Sequence, residues 1–312
     1  MIKFENIEVA GWEHAIRGMR NPKNSWQKSD SYTCYATGGW HCEEENYING
    51  VCHGVTLGEN DHDLMMTLRN AGTDHRKFMR MITVYLDITA PLYWWKEFDT
   101  YRVGVEKNSC STMHKIHAKE FTMDDFSHEH LDDIRGYEPE VRDMAPTIEF
   151  EPHTDKITSY LLGPNDILNL TIKMLNRCRD LYLKTKEKTY WWQMIQLLPS
   201  SYNQKRTVML NYEVLANIYK SRKDHKLDEW RDFCSWIETL PYSELITGQL
   251  VDKGGIIMSE CVKETKCTNC FHRAVCKHKL DFLRICEAVN KAKSSCNNRE
   301  RSRRMAYFKL LL

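Results

Sequence analysis

The stretch MITVYLDITAPLYWWKEFDTYR, residues 81–102, is the part of the chain that most clearly decides the fold. Its first part is β-branched, apolar or aromatic with partial alternation, which predicts a buried strand over 81–89. Pro91 follows directly, and proline is favoured at the first position of a helix. The segment therefore predicts a strand that leads straight into a helix, and this unit indicates a mixed α/β (α+β) chain.

The flanking sequence predicts further elements of both kinds. A strand is expected over 3–9, and Asn60 or Asp61 can cap a helix that runs to Leu68. Asp166 is expected to cap a long helix. Residues 118–160, which are acidic and contain three prolines, are expected to form a surface excursion. The remaining predicted helices span 12–19, 92–102, 167–184, 190–197, 207–222 and 227–240.

Composition narrows the class of protein. The chain has 312 residues, of which 42% are hydrophobic and 28% charged, within the usual range for globular domains. A net charge of +1 argues against a chain built to bind nucleic acid or a membrane surface. No apolar run reaches the roughly 18 residues of a membrane span, and the start, MIKFENIEVAGWEH, lacks the apolar core of a secretion signal. A cytoplasmic protein is expected.

Two separated stretches carry the most specific pattern. In ITAPLYWWKEFDTYR, residues 88–102, an Ala90-Pro91 pair opens a helix that ends in the triplet Thr100, Tyr101, Arg102. In LLPSSYNQKRTVMLNYEVLANIYKSR, residues 197–222, a Leu-Pro pair precedes Asn211, Leu215, Asn217 and Arg222. Together these stretches resemble the flavin-dependent thymidylate synthases, in which the triplet is Arg-His-Arg and the second stretch has the same spacing without a gap.

The resemblance implies a fold with a central antiparallel sheet, long helices and, in this chain, a Cys-rich C-terminal extension. It also implies a homotetramer with FAD bound between subunits. The family transfers a methylene group from methylene-tetrahydrofolate to dUMP and uses NADPH to reduce the flavin. A pyrimidine deoxynucleotide is therefore the expected partner, while a membrane or nucleic-acid partner is not expected.

The same resemblance implies binding roles for six residues and leaves the catalytic group unidentified. Arg102, Asn211 and Asn217 would bind the flavin cofactor. Arg222, Ser111 and Glu97 would bind the substrate. Amide side chains suit the edge of a flavin or pyrimidine because they offer donors and acceptors, and arginine presents a rigid donor fork. The alternative interpretation of 207–222 is an amphipathic helix with ordinary polar residues on its exposed face.

The chain departs from the family pattern at its cationic positions. Thr100 and Tyr101 replace the first Arg and the His of the triplet, and Glu97 replaces a glutamine. An arginine expected before the Leu-Pro pair is Ile195, and the run EKNSCSTMHK, residues 106–115, contains no arginine. Each lost phosphate contact removes roughly 1.5–3 kcal/mol. The cations that could substitute are Lys115, Lys205, Arg206, Arg17 and Arg20.

The polar run after the helix offers another way to hold a phosphate. Its members are Asn108, Ser109, Ser111, Thr112 and His114. Backbone amides and hydroxyls in such a run can bind an anion without arginine. The alternative is a simple polar turn.

A cysteine cluster marks the C-terminal part. Cys261, Cys267, Cys270 and Cys276 are separated by gaps of five, two and five residues. A two-residue gap suits a tetrahedral zinc site or an iron–sulfur cluster, and unliganded thiols are the alternative in a reducing compartment. The chain is therefore expected to divide into an irregular segment over 1–57, a synthase-like domain over 58–245, and a Cys-rich loop with a basic tail over 246–312.

Three functions remain open from the sequence. The first is flavin-dependent methyl or methylene transfer to a pyrimidine deoxynucleotide. The second is a non-catalytic relative that binds a nucleotide, a flavin or a partner protein. The third treats the Cys-rich part as primary and the protein as a metal-bearing accessory factor for nucleic acid.

Overall fold

The structure is a computed structural model that describes residues 2–33, 47–48, 51–52, 55–132, 140, 142, 144–150 and 158–248. The chain divides into two compact units, Met1–Pro241 and Tyr242–Leu312. The expected division at 57 and 245 stays a prediction. No helix among the described residues has the length and apolar character needed to cross a bilayer.

The strands of the described part are β1 (Lys3–Ala10), β2 (Tyr32–Thr33), β3 (Tyr47–Ile48), β4 (Val51–Cys52), β5 (Val55–Thr56), β6 (Thr83–Pro91), β7 (Glu106–Ser109), β8 (Thr147–Phe150), β9 (Thr158–Leu161) and β10 (Asn203–Asn211). The α-helices of the same part are α1 (Trp12–Arg20), α2 (Glu59–Asn70), α3 (Leu92–Phe98), α4 (Pro164–Thr185), α5 (Lys188–Leu197), α6 (Tyr212–Arg222), α7 (Asp228–Glu238) and α8 (Glu244–Thr247). Helix α8 belongs to the second unit.

A four-stranded antiparallel sheet forms the centre of the first unit, with strand order β1-β6-β10-β7. The predicted strand over 81–89 is its second member, and it pairs with β10 from Asn203↔Pro91 to Asn211↔Thr83. The mixed α/β class and the central antiparallel sheet are therefore confirmed. The strands outside this sheet form the two-stranded pairs β2-β5, β3-β4 and β8-β9.

The sheet buries one face against aromatic helices. On β6 the residues Val84, Leu86, Ile88 and Ala90 are buried while the alternate positions are more exposed, as the period of a half-buried strand requires. Helix α3 follows the strand at once and buries Trp94, Trp95 and Phe98 completely. Trp94 lies 4.8 Å, between ring centroids, from Trp230 of α7. This packing fixes α3 and α7 side by side.

A second hydrophobic cluster joins α4 and α5 to the segment after β7. Its buried members are Ile116, Phe121, Phe126, Leu168, Ile172, Leu175, Cys178 and Met194. Phe121 and Phe126 lie within the stretch predicted as a surface excursion, so that prediction is wrong for this part. Aromatic side chains at these positions bury too much apolar area to remain in solvent.

The helix predicted over 207–222 is also wrong for its first part. Residues up to Asn211 belong to β10, and the helix begins at Tyr212. Thr207 and Val208 are β-branched, and every residue of this strand pairs with β6, so ladder hydrogen bonds decide the conformation.

Two predicted helix caps differ as well. Helix α4 begins at Pro164, directly after Gly163. Asp166 is its third residue, and its side chain accepts a hydrogen bond of 3.0 Å from the Gly163 amide. Helix α2 begins at Glu59, before both of its predicted caps.

Candidate functional site

An ion-pair cluster lies beside the first turns of α6, and we call it the Arg76 cluster: Arg69, Arg76, Arg80, Glu213 and Asn217. Glu213 and Asn217 are four residues apart and therefore share one face of α6. Arg76 Nη2 donates to Asn217 Oδ1 at 3.2 Å, and its Nε lies 3.4 Å from Glu213 Oε1. Arg80 forms an ion pair with the same carboxylate through Nε and Nη2.

The Arg76 cluster carries more positive than negative charge. Glu213 is the carboxylate shared by Arg76 and Arg80, and its side chain is 8% exposed while that of Arg76 is 16% exposed. The Arg76 Nε atom is buried and has no hydrogen-bond partner in the described part of the chain, because the contact to Glu213 lacks hydrogen-bond geometry. Burial, followed by the charge of Arg76, lowers the pKa of Arg69. Such a site favours an anion.

Asn211 sits at the junction of β10 and α6 and serves as the helix N-cap. Its Oδ1 accepts a hydrogen bond from the Val214 amide at 3.0 Å. Gly104 has a φ of +73°, and a Cβ built there would lie 2.7 Å from Asn211 Nδ2, so a glycine is needed at that approach. The Asn211 side-chain carbonyl therefore caps the helix, while its amide nitrogen faces Gly104.

A second group of side chains, the Glu97 cluster, joins α3 to the end of α6 and to α7. It contains Glu97, Tyr101, Arg222, His225 and Trp230. Arg222 pairs with Glu97 Oε1 through Nη1 and donates to the Tyr101 hydroxyl from Nε at 2.9 Å. Trp230 Nε1 donates to Glu97 Oε2 at 2.5 Å. His225 Nε2 lies 3.6 Å from Glu97 Oε1.

The Glu97 cluster brings both predicted substrate residues of α3 and α6 together, but it pairs them with each other. The Arg222 guanidinium also lies over the rings of Trp230 (4.9 Å) and Tyr101 (5.7 Å), distances at which the ring faces attract a cation. Burial alone would lower the pKa of Arg222, but the hydrogen bond to Tyr101 and the charge of Glu97 outweigh it, and the pKa is raised. Arg222 is therefore always charged.

The two clusters use opposite sides of α6. Nine residues separate Glu213 from Arg222, which corresponds to about 13 Å along the helix and about 180° around it. The predicted flavin residue Asn217 and the predicted substrate residue Arg222 thus belong to different clusters. Asn217 and Arg222 thus do not share one stripe of α6, as their spacing of five residues requires.

The other predicted site residues lie apart from these clusters. Arg102 is exposed after α3 and makes no hydrogen bond or ion pair with the described residues. Ser111 Oγ accepts from the amides of Met113 (3.2 Å) and His114 (2.8 Å), as in a polar turn. The amide of Cys110 bonds to Lys205 O, so these three amides already have partners in this conformation, and the phosphate cradle stays a prediction.

Most of the proposed substitute cations have partners as well. Lys205 contacts Glu5 at 2.9 Å, Arg206 contacts Asp99 at 2.9 Å, and Arg20 contacts Asp61 at 2.6 Å. Arg17 contacts His14 at 3.0 Å. Ile195 packs against the cluster of α4 and α5, so the position where the family has an arginine is hydrophobic here.

The sequence interpretation missed Arg76, Arg80 and Glu213. The run HRKFMR, residues 75–80, was the available signal, since three of its residues are cationic. Within the described residues no group of three or more His, Cys, Asp or Glu side chains could hold a metal ion. Cys261, Cys267, Cys270 and Cys276 lie outside those residues, and their metal site stays a prediction.

The chain is similar in structure to the flavin-dependent thymidylate synthase ThyX from Helicobacter pylori. One structure of that enzyme with FAD and dUMP superposes with a TM-score of 0.48 at 14% identity, covering 80% of this chain and 98% of the enzyme. A second structure of the same enzyme with FAD and dUMP gives 0.48 at 13% identity, covering 79% and 98%. No protein-family model and no curated protein matches the sequence.

Proposed function

We propose that this chain binds FAD and a pyrimidine deoxynucleotide and acts as a flavin-dependent methyl- or methylene-transferase. The observation that carries the proposal is the Arg76 cluster, where a buried guanidinium N–H without a hydrogen-bond partner lies beside Asn217. The residue pattern at Ala90-Pro91, Asn217 and Arg222 supports the choice of a flavin and a pyrimidine over other anionic ligands. NADPH and methylene-tetrahydrofolate are the proposed cosubstrates.

The residues present fit the flavin at two points. Arg76 and Arg80 suit the phosphates of FAD, because a guanidinium binds phosphate oxygens with paired donors. The amide of Asn217 suits the polar edge of the ring system. The exposed Arg102 stays a separate proposed flavin contact. When bound, reduced flavin supplies the hydride, and the protein contributes binding and orientation.

The pyrimidine is assigned to the Glu97 cluster. Arg222 has five N–H donors, and Tyr101 and Glu97 use two of them, which leaves three without a partner in the described part of the chain. Trp230 and Tyr101 supply aromatic faces next to these donors. Ser111 remains the proposed contact to the nucleotide phosphate.

Flavin titration of the full-length protein tests the proposal. The visible absorbance and fluorescence of FAD would be followed for the wild type and for Arg76→Gln, which removes the charge and the Nε donor. We expect the variant to bind FAD about ten- to a hundredfold more weakly. Arg179→Gln is the matched control, since Arg179 is 19% exposed and also ion-paired. A wild type that binds no FAD, or equal affinities of wild type and Arg76→Gln, would contradict the assignment.

A non-catalytic, ligand-binding relative is the second candidate. It is favoured by the Glu97–Arg222 ion pair, which occupies the arginine proposed to contact the substrate. Mass spectrometry of the nucleotide after incubation with FAD, NADPH and methylene-tetrahydrofolate separates the two functions. A gain of one carbon supports the transferase, whereas binding without any change in mass supports the second candidate.

A further inference from the structure

The turn between α4 and α5 carries a concentration of positive charge. Residues 173–192 contain six lysines and arginines but only two acidic residues, an excess of four, whereas the whole chain has a net charge of +1. The charge of the whole chain therefore does not describe this surface, because the potential that a ligand meets depends on the groups nearby. We call the centre of this region the Lys188 patch, and it consists of Tyr182, Lys184, Lys186, Lys188, Trp191 and Trp192.

The three lysines of the Lys188 patch are available to an anion. Residues 184–189, which include all three, are exposed without interruption. None of the three forms an ion pair or a side-chain hydrogen bond with the described residues, whereas Lys119, Arg179 and Lys205 have carboxylate partners. The lysines occupy every second position of the turn. The patch therefore presents a row of compact point charges, which suits successive phosphates better than one small anion.

Aromatic rings lie directly beside two of these lysines. Lys186 Nζ is 5.9 Å from the ring centroid of Tyr182. Lys188 Nζ is 6.0 Å from the ring centroid of Trp191 and 5.8 Å from that of Trp192. At such distances the face of an aromatic ring attracts a cation. Cationic and aromatic side chains are thus interleaved on one surface.

Trp192 is the most exposed ring of the patch. It is 44% exposed, while Trp191 is partly buried and donates from Nε1 to Met113 O at 2.9 Å. The two indoles meet at 67°, so Trp191 does not stack on Trp192. Met194 is buried in the hydrophobic cluster of α4 and α5 and anchors the helix that carries both rings. An indole on an anchored helix next to exposed cations suits a ligand that is both flat and anionic.

We infer that the Lys188 patch binds single-stranded nucleic acid. The lysines contact phosphates and Trp192 stacks on a base, which is the combination by which proteins hold single strands without reading their sequence. In a duplex the bases stack on each other, and no face remains for Trp192, so the surface selects unpaired strands. Phosphates and base faces are common to DNA and RNA, and the patch should accept both. This activity lies beyond the proposed function and does not depend on flavin.

Fluorescence anisotropy of a labelled single strand of about 12 nucleotides, mixed with the full-length protein, tests the stacking contact. We expect Trp192→Ala to bind about ten- to a hundredfold more weakly, because one base–aromatic stack is lost. Trp192→Phe keeps an aromatic face and should retain most of the affinity. The matched control is Trp26→Ala, since Trp26 is 45% exposed and lies outside the patch. Equal binding by the wild type and Trp192→Ala would overturn the inference.

The salt dependence of binding tests the lysines. On a single strand each phosphate contact contributes about 0.7 to the slope of log K against log salt. Lys186→Gln combined with Lys188→Gln should therefore reduce the slope by about 1.4. Lys23→Gln combined with Lys28→Gln removes the same charge from exposed lysines outside the patch and should leave the slope unchanged. A wild-type slope in the first double variant would mean that these lysines contact no phosphate, contrary to the inference.

Other ligands decide whether the patch is selective for single strands. DNA and RNA strands should bind with similar affinity, and a DNA duplex of the same length about tenfold more weakly. Vesicles that contain phosphatidylserine test a membrane surface, and dUMP tests whether the patch belongs to the nucleotide site through Met113 and Ser111. The inference is overturned if the duplex binds as tightly as the single strand, if only the vesicles bind, or if dUMP displaces the strand. None of these results changes the separately measured binding of FAD.

Discussion

At the scale of single residues, Asp61 anchors the segment between α1 and α2. Its side chain is fully buried and accepts from Arg20 Nε (2.6 Å), Ser29 Oγ (2.7 Å) and Ser31 Oγ (2.7 Å). Burial by itself would raise the pKa of Asp61, but the hydrogen bonds from Ser29, Ser31 and Arg20 together outweigh it and hold the pKa below its usual value. Asp61, one of the two residues expected to cap α2, is instead the centre of a buried ion pair.

Replacement of Asp61 should destabilise the fold severely. Asp61→Asn leaves the Arg20 charge buried without a counter-ion, and breaking such a pair costs about 3–5 kcal/mol of unfolding free energy. Urea denaturation measures this loss, and Asp63→Asn on the exposed face of α2 is the control. Because the folded pKa is depressed, the contribution of Asp61 is present above the unfolded pKa and is lost as pH falls through the folded pKa. A variant as stable as the control would contradict this role.

Arg222 is the second residue whose replacement is informative. The planar guanidinium of Arg222 donates to Tyr101 and Glu97 and keeps further N–H donors for a ligand. The ammonium group of lysine cannot reproduce this arrangement. We expect Arg222→Lys to weaken pyrimidine-nucleotide binding by roughly 1.5–3 kcal/mol, about ten- to a hundredfold, with FAD binding retained. Calorimetric titration of dUMP, dCMP and dTMP measures the change. Equal nucleotide binding by wild type and variant would make Arg222 a structural arginine only.

The residue-scale content of the site was only partly predictable from the sequence. Glu97 and Arg222 were singled out by the resemblance to the flavin-dependent thymidylate synthases, although their mutual pairing was not foreseen. The contact of Arg80 with Glu213 joins residues 133 positions apart, and nothing in local periodicity indicates which distant elements meet. Tertiary packing of the turn Lys77–Arg80 against α6 creates this contact.

At the scale of elements, the sequence pattern predicted helix α6 but not the end of strand β10 that precedes it. The helix from Tyr212 onward was expected, and so were β1, β6 and the helices α3 to α5 and α7. Residues 207–210 were assigned to the same helix because a short apolar run fits a strand and a buried helix equally well. Pairing with β6, which lies more than 100 residues earlier, decides the matter.

The N-cap at this junction can be tested apart from any cofactor role. Asn211→Ala removes the acceptor for the Val214 amide and should lower the unfolding free energy by about 1 kcal/mol. Asn211→Asp keeps an acceptor at the cap and should retain more of the stability. If the amide nitrogen contacts flavin, the aspartate variant should still bind less FAD. Thermal unfolding and bound-FAD content measure the two effects, and wild-type stability of Asn211→Ala would refute the capping role.

At the scale of the whole molecule, α4 has an apolar stripe that its own chain does not cover in the described part. Ile167, Leu170 and Met174 are 43%, 40% and 52% exposed, and their spacing of three and four residues places them on one face. The opposite face of α4 holds Leu168, Ile172 and Leu175 in the core. A helix that is apolar on two sides commonly packs against a further element.

Self-association would cover this stripe, and it is also what the resemblance implies. We expect light scattering at micromolar concentration to show a homo-oligomer, with a tetramer as the expected state. Leu170→Glu combined with Met174→Glu places two carboxylates on the stripe and should lower the molar mass, because charges cannot be buried there unpaired. The control is Lys173→Glu, which changes the charge of the same helix at an exposed polar position.

Since the cofactor is proposed to lie between subunits, the double variant should also lose FAD while its circular dichroism stays unchanged. A wild type that is monomeric and still binds FAD would show that one chain completes the flavin site, and the two clusters on α6 would then have to act within a single subunit.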